Sequence, residues 1–349
     1  MKNRKEIIVD IIKNRDIGIN NLLLDVNKIL VKKVSRITII RDLDNLIKQG
    51  LVIRVGKGPA VKYQISSAFS FFKDIDVRKY FLDESEQRKS KDVFNFDIFN
   101  VFQKNQILNN SEKMFLAELN SIFQKNIKSL PLEIIKKESE RLMIELSWKS
   151  SKIEGNTYDL LETEFLIKEN RKAEGHTRLE AQMILNHKDA LKFIQKKKIK
   201  KISLEKVKEI HNILISEMGI SENIRNKPVG ITGTIYKPLV EEKRIKDALK
   251  KMSILVNEKK NIFEKAILLN FLIAYIQPFN DGNKRTSRLM GNAILIAHDY
   301  CPLSFRSIDE LEYKKALILF YEQNNLSYFK KLFIEQYQFA VENYFSSKI

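Results

Sequence analysis

The run from Ala266 to Ile276 is apolar at every position except Asn270. A helix that is hydrophobic all round has no face to offer water, so other helices must enclose it. Pro278 then stops that helix. Asp281-Gly282-Asn283 is turn chemistry that tolerates unusual backbone angles. From Lys284 to Ala297 a helical pattern resumes, interrupted only by Gly291. The order is buried helix, tight loop, second helix, and it points to a mainly α core.

A loop that closes onto a helix N-terminus leaves several backbone N–H groups pointing one way. That is an anion site, strengthened by the helix dipole. Lys284, Arg285 and Arg288 gather at the end where cations are unfavourable on dipole grounds alone, which implies an anion among them. Asp281 offers the hard oxygen that Mg²⁺ takes beside phosphates. The alternative at this level is a helix start with a solvated basic face.

The segment Gln277-Pro278-Phe279-Asn280-Asp281-Gly282-Asn283-Lys284-Arg285-Thr286-Ser287-Arg288 resembles the signature of the Fic (Fido) family, His-Pro-Phe-x-Asp/Glu-Gly-Asn-Gly/Lys-Arg-x-x-Arg. Members of that family move AMP or a related group onto protein hydroxyls. The resemblance extends over about Leu142 to Phe333. It implies that Phe279 anchors the loop, that Asp281 binds Mg²⁺, and that Gly282, Asn283 and Lys284 form the anion hole with Asn283 at the α-phosphate of ATP. It also implies that Arg285 and Arg288 hold the outer phosphates. Lys284 in a Gly-Asn-Lys-Arg run also resembles the related Doc toxins, which transfer a terminal phosphate.

One position departs from the pattern. The family's first residue is His, the general base on the target hydroxyl, and here it is Gln277. An amide has no usable pKa, so base catalysis worth about 10²–10⁴-fold is missing while nucleotide binding need not suffer. An introduced knockout, a natural pseudoenzyme and an enzyme with another base all remain open. His176, His187, His211 and His298 fall outside the motif. His211, a lone helical His, reads as a structural residue rather than a ligand.

A second motif lies upstream. Ser150-Ser151-Lys152-Ile153-Glu154-Gly155 reads as a helix end with glycine at the cap. Glu154 there faces the negative end of the dipole and needs another partner. The stretch resembles the family's inhibitory motif, Ser/Thr-x-x-x-Glu-Gly/Asn, with Ser150, Glu154 and Gly155 in the fixed places. The resemblance implies that Glu154 pairs with Arg288 and blocks a productive ATP pose. Val229-Gly230-Ile231-Thr232-Gly233, within Arg225 to Tyr236, alternates β-branched residues with glycine and reads as a short hairpin. By resemblance it is the flap that docks a target segment by strand pairing.

At 349 residues two domains are the natural prior, and an apolar fraction of 44% suffices for ordinary cores. Residues 1–68 read as a winged helix-turn-helix: helices near Arg4–Lys13 and Asn21–Leu30, a third capped by Ser35 and running to about Gln49, then strand, basic turn and strand. Ser35, Arg36, Thr38 and Arg41 are candidates for base contacts, and Arg54, Lys57 and Lys62 for phosphate. This stretch holds 14 basic and 6 acidic residues, or +8 of the chain's +18. A strongly basic balance points to nucleic acid, an anionic ligand or an acidic partner. Residues 69–139 read as an aromatic helical connector whose polar break, Ser85 to Asp92, is its weakest spot. Residues 140–349 carry the Fic-like part.

The start lacks an apolar leader and no run reaches the length of a membrane span, so no membrane partner is expected. The lone Cys301 fits a reducing cytoplasm. The expectation is a Fic-type helical core with a β-hairpin flap and a small winged-helix domain. It acts as a Mg²⁺/ATP-dependent adenylyltransferase scaffold, autoinhibited by Glu154 and impaired by Gln277. Its acceptor is a Ser, Thr or Tyr hydroxyl of a protein, or of itself, with homo-oligomer formation left open. The alternative is a DNA-binding regulator whose Fic part only senses nucleotide.

Overall fold

The computed structural model describes residues 3–66, 68–88 and 90–346. Met1, Lys2, Ser67, Lys89 and Ser347–Ile349, which fall within the expected first domain, connector and last domain, lie outside the described residues.

The chain opens with α1 (Arg4–Asn14), α2 (Ile19–Ile29) and α3 (Arg36–Lys48), followed by β1 (Val52–Val55) and β2 (Lys62–Ile65). The strands pair antiparallel, Val52 opposite Ile65 and Val55 opposite Lys62. Ile17 adds a bridge to Tyr63 on the other edge. Ile8, Leu22, Val26, Ile39 and Leu43 fill the space between the three helices. A buried Asp42 is paired with Arg4 across α3 and α1.

Four helices form the connector: α4 (Phe69–Phe72), α5 (Val77–Tyr80), α6 (Asp97–Lys104) and α7 (Asn110–Ser129). Phe71, Phe94, Phe99 and Phe102 are buried, and Phe102 meets Phe271 and Phe320 of the C-terminal part edge-on and stacked. The stretch Ser85 to Asp92, expected to be weak, is instead fastened. Arg88 reaches Glu322, Lys91 N donates to Glu322 O at 2.8 Å, and Lys237 N donates to Asp92 O at 2.8 Å. The Arg88 side chain and the backbone of Lys91 and Asp92 are held by groups distant in sequence, which a local reading of polarity does not show.

The C-terminal part comprises α8 (Leu132–Ile153), α9 (Leu160–Glu169), α10 (Arg178–Lys197), α11 (Leu204–Leu214), α12 (Glu242–Glu258), α13 (Ile262–Ile276), α14 (Asn283–Ala297), α15 (Glu310–Gln323) and α16 (Ser327–Asn343). Helix α13 begins at Ile262, capped by Asn261. It is buried over nearly all its length, as its composition requires. It packs most extensively against α14, while α10 and α11 cover α14 from the other side.

The hairpin expected between Arg225 and Tyr236 is not formed. The segment is extended with a turn at Thr232-Gly233, and its pairing is a parallel bridge from Lys237 to Val93. The alternation of β-branched residues invited a strand, but a strand needs a partner edge. Here Arg225 N bonds Pro278 O at 3.0 Å, so the start of the segment is tied to the loop after α13.

Candidate functional site

The site grows from how α13 ends and α14 begins. Gln277 already has a left-handed backbone, φ 51°, so the helix stops one residue before Pro278. Gly282 caps α14 at φ 78°, a conformation that glycine adopts without strain. Thr286 N makes the first backbone bond of α14, to Gly282 O at 2.9 Å. The amides of Asn283, Lys284 and Arg285 therefore face outward at a positive dipole end.

The loop is held rigidly. Asn283 Nδ2 donates to Gln277 Oε1 at 2.9 Å and to Phe279 O at 2.8 Å, and Phe279 N donates to Asn283 Oδ1 at 2.9 Å. Phe279 is fully buried and stacks on His211 with centroids 3.5 Å apart. His211 Nε2 lies 3.0 Å from Asp281 O; burial pushes the ring's pKa down to about 4, so it is neutral and donates. Arg225, buried, donates through Nε to Gln277 O at 2.6 Å. Sequence reasoning missed Arg225, and nothing in its neighbours' periodicity signals that role.

Both ends of the Gln277 amide are occupied. Its Nε2 donates to Ala274 O at 2.6 Å while its Oε1 accepts a hydrogen bond from Asn283 Nδ2. Arg285 is 1% exposed, with Nη2 3.4 Å from Asp281 Oδ2 and Nη1 3.4 Å from Leu214 O. Burial lowers its pKa, partly countered by Asp281 and Glu154. Asp281 is exposed, and its Oδ1 accepts from Gly282 N at 2.6 Å.

From the other side comes the end of α8. Glu154 caps it and Gly155 turns away at φ 98°. Glu154 Oε1 lies 2.9 Å from Arg288 Nη2, and Oε2 lies 2.7 Å from Lys284 Nζ. The Lys284 contact has no counterpart in the sequence reading. Burial pushes the Glu154 carboxyl up, but Arg288 and Lys284 together outweigh it and hold its pKa at about 2. Arg288 is fully buried, and Nε donates to Ser150 Oγ and Nη2 to Ser150 O, both at 2.8 Å. Ser150 Oγ also lies 2.7 Å from His187 Nε2. Burial, with Arg288 and Arg285 nearby, lowers the His187 pKa and keeps the ring neutral.

These groups surround a cavity of about 570 Å³, a size suited to a small ligand. Its floor is Asn280 to Arg285 and Gln277, and one wall is Glu154 and Gly155. Val229, Gly230, Ile231, Thr232 and Gly233 form its rim, and α15 contributes Leu311, Lys314, Leu317, Ile318 and Tyr321. The α15 residues were not foreseen. Glu154 lines the cavity, whereas Arg288 behind it does not. Among the described residues no group of three or more His, Cys, Asp or Glu could cage a metal ion.

The remaining candidates lie elsewhere. Ser35 caps α3 and accepts from Thr38 N at 3.3 Å, and its Oγ lies 3.1 Å from Thr38 Oγ1. Arg36, Arg41, Lys57 and Lys62 are exposed. Arg36 borders a groove of about 680 Å³ between α2, α3 and the ribbon, remote from the first cavity.

Fold and site together define a helical domain with outward-facing amides and clustered cations at a loop between two packed helices. Residues 201–295 match the family model described as Fic/DOC family. The chain is 29% identical over 195 residues to a protein adenylyltransferase Fic of Nematostella vectensis, covering 54% of this chain and 45% of that protein. It is 24% identical over 173 residues to protein adenylyltransferase fic-1 of Caenorhabditis elegans, covering 47% and 34%. The chain thus spans less than half the length of these curated relatives. Among solved structures, Fic-1 from C. elegans superposes with a TM-score of 0.57 at 19% identity, covering 67% of this chain and 71% of that one. A Fic domain containing signaling protein from Bacteroides thetaiotaomicron gives 0.57 at 18%, covering 65% and 94%.

Proposed function

We propose that residues 140–346 form a protein adenylyltransferase scaffold held off by Glu154. The observation that carries this reading is the bridge from Glu154 to both Lys284 and Arg288 at the wall of the cavity. A carboxylate placed on two cations beside free helix amides occupies the space of an anionic ligand. Arg288 can satisfy Glu154 or a phosphate, and breaking a buried pair at one end costs about 3–5 kcal/mol.

With Glu154 displaced, the amides of Asn283 to Arg285 receive the α-phosphate of ATP, and Arg285 and Arg288 neutralise the outer phosphates. Asp281 suits Mg²⁺, which takes one or two carboxylates and fills its shell with phosphate oxygens and waters. Held at Asp281, the ion would supply positive charge to the phosphates. A Ser, Thr or Tyr hydroxyl of a protein, or of this chain, then bonds to the α-phosphorus as the bond to pyrophosphate breaks. The rim Val229–Gly233 lays the acceptor segment over the site. Gln277 cannot take the hydroxyl proton, so transfer is slowed about 10²–10⁴-fold. No helix among the described residues is long and apolar enough to cross a membrane. The lone buried Cys301 fits the reducing cytoplasm.

The test has two arms. Glu154→Gly is expected to raise Mg-ATP affinity at least about tenfold by calorimetry, since the competing pair is gone. Gln277→His added to Glu154→Gly is expected to label protein from radioactive ATP. No binding and no label with both changes would sink the reading. The mass added to a labelled residue separates AMP from the single phosphate of Doc-like transfer.

A second reading, a DNA-binding regulator whose Fic part senses nucleotide without catalysis, is favoured by the Gln277 amide, which is engaged at both ends. Exposed Arg36, Arg41, Lys57 and Lys62 on a winged-helix arrangement of residues 3–66 would supply the nucleic-acid face.

A further inference from the structure

The rim Val229–Gly233 takes no part in any backbone-to-backbone hydrogen bond among the described residues. Its hydrogen bond comes from far upstream: Arg88 Nη2 donates to Gly233 O. The donor is itself firmly set. Arg88 Nε and Nη2 fork onto Glu322 of α15 at 3.0 and 2.9 Å, and Nη1 reaches Asp83 O at 3.2 Å. Glu322 is fully buried and also accepts from Tyr80 at 2.7 Å. The guanidinium lies 5.0 Å from the Phe81 ring. Four residues on, Asp92 O receives Lys237 N, just past the far end of the rim segment. The connector therefore grips the rim from outside, at its turn and at its exit.

We propose that Arg88 is a positioning residue that sets the rim for the incoming protein segment and not for the nucleotide. Arg88 does not line the cavity, and its one contact with the site is a carbonyl on the rim's turn. Gly233 suits this arrangement through its backbone, whose φ of 84° is one that side-chain-bearing residues rarely adopt. An extended acceptor pairs with backbone, so the rim must present its N–H and C=O groups at a fixed height. A charged donor on one carbonyl fixes that height while leaving the phosphate-facing loop untouched. The proposal rests on the rim being the docking edge of the transferase read above.

The experiment uses the full chain carrying Glu154→Gly. Removing Arg88 alone strands a buried carboxylate, so the informative variant is Arg88→Met with Glu322→Gln. Tyr80→Phe is the control, since it disturbs Glu322 but spares the bond to Gly233. A nitroxide on Thr232→Cys reports the rim, because the native Cys301 is buried and stays unlabelled. The ratio of mobile to immobile spectrum is expected to rise at least about tenfold in the double variant, the loss of one charged hydrogen bond. It should hold in Tyr80→Phe, and Mg-ATP affinity should stay within about twofold in both. An unchanged ratio in the double variant overturns the proposal, as does an equal rise in the control or a parallel loss of Mg-ATP affinity. If the Glu154→Gly parent fails to bind Mg-ATP, the nucleotide reading falls, while the nitroxide comparison still decides whether Arg88 sets the rim.

Discussion

Two side chains at the site carry opposite formal roles and leave separate marks on stability. Glu154 has its pKa held at about 2 against an ordinary 4.5. Its contribution is present above 4.5 and disappears as pH falls toward 2, amounting to about 3 kcal/mol when a shift of this size is converted. His211 is buried and neutral with a pKa of about 4 against 6.5. The unfolded chain takes up that proton first, so stability falls as pH drops from 6.5 to 4, again by about 3 kcal/mol, and is then level. Denaturant titrations across pH are expected to show Glu154→Gln flattening the lower window and His211→Phe flattening the upper one. His211→Phe keeps a ring against Phe279 but loses the bond to Asp281 O. A His211→Phe curve with the wild-type slope between 6.5 and 4 would remove the assignment. Near pH 7 neither group titrates, so on the proposed reading Glu154 is displaced by a competing anion and not by acid.

At the level of elements, the pairing of α13 with α14 sets where the loop sits. It turns on Gly291 and Asn270. A Cβ at Gly291 would fall 1.9 Å from Asn270 Nδ2 and 3.2 Å from Ala266 O. Asn270 Nδ2 is bonded to Ala266 O at 2.9 Å, so it has no cheap place to go. Gly291→Ala is expected to destabilise by about 1–3 kcal/mol through overpacking, seen as a lower Tm. Adding Asn270→Ala should restore part of the loss, a coupling measurable by a double-mutant cycle. The same two elements were the most legible in the sequence, because an all-apolar run, a proline and a glycine each have one dominant local meaning. The rim was misread for a related reason: alternation marks an extended chain but does not supply a neighbouring strand. Glu154 and Arg288 stand 134 residues apart. No spacing rule joins them, and only the likeness to the family put them together. Arg88, Arg225 and Lys284's second contact were illegible, since each binds a group brought near by tertiary packing and leaves no periodic trace.

Across the whole molecule the charge is unevenly used. In the connector and the C-terminal part several cations are committed to partners: Lys284 and Arg288 to Glu154, Lys259 to Glu264 and Arg88 to Glu322. In the first module Arg4, Arg15 and Arg54 are likewise paired with Asp42, Asp25 and Asp44. Arg36, Arg41, Lys57 and Lys62 are exposed and, among the described residues, in no ion pair. Ser35 and Thr38 are engaged with each other in capping α3, so at that helix end Arg36 and Arg41 are the groups open to a phosphate. On the regulator reading, four cations on phosphate give a slope of about −3.5 in log affinity against log salt for duplex DNA. Affinity should then drop about two orders of magnitude between 50 and 200 mM salt. Fluorescence anisotropy with a labelled duplex measures this directly. Arg36→Ala with Arg41→Ala is expected to reduce the slope by about 2. A salt-insensitive or absent signal removes nucleic acid as the partner of residues 3–66 and leaves the four cations as a face for an acidic protein. Because the connector joins this module to the rim through Arg88, duplex bound at one end is also expected to leave Mg-ATP affinity at the other unchanged.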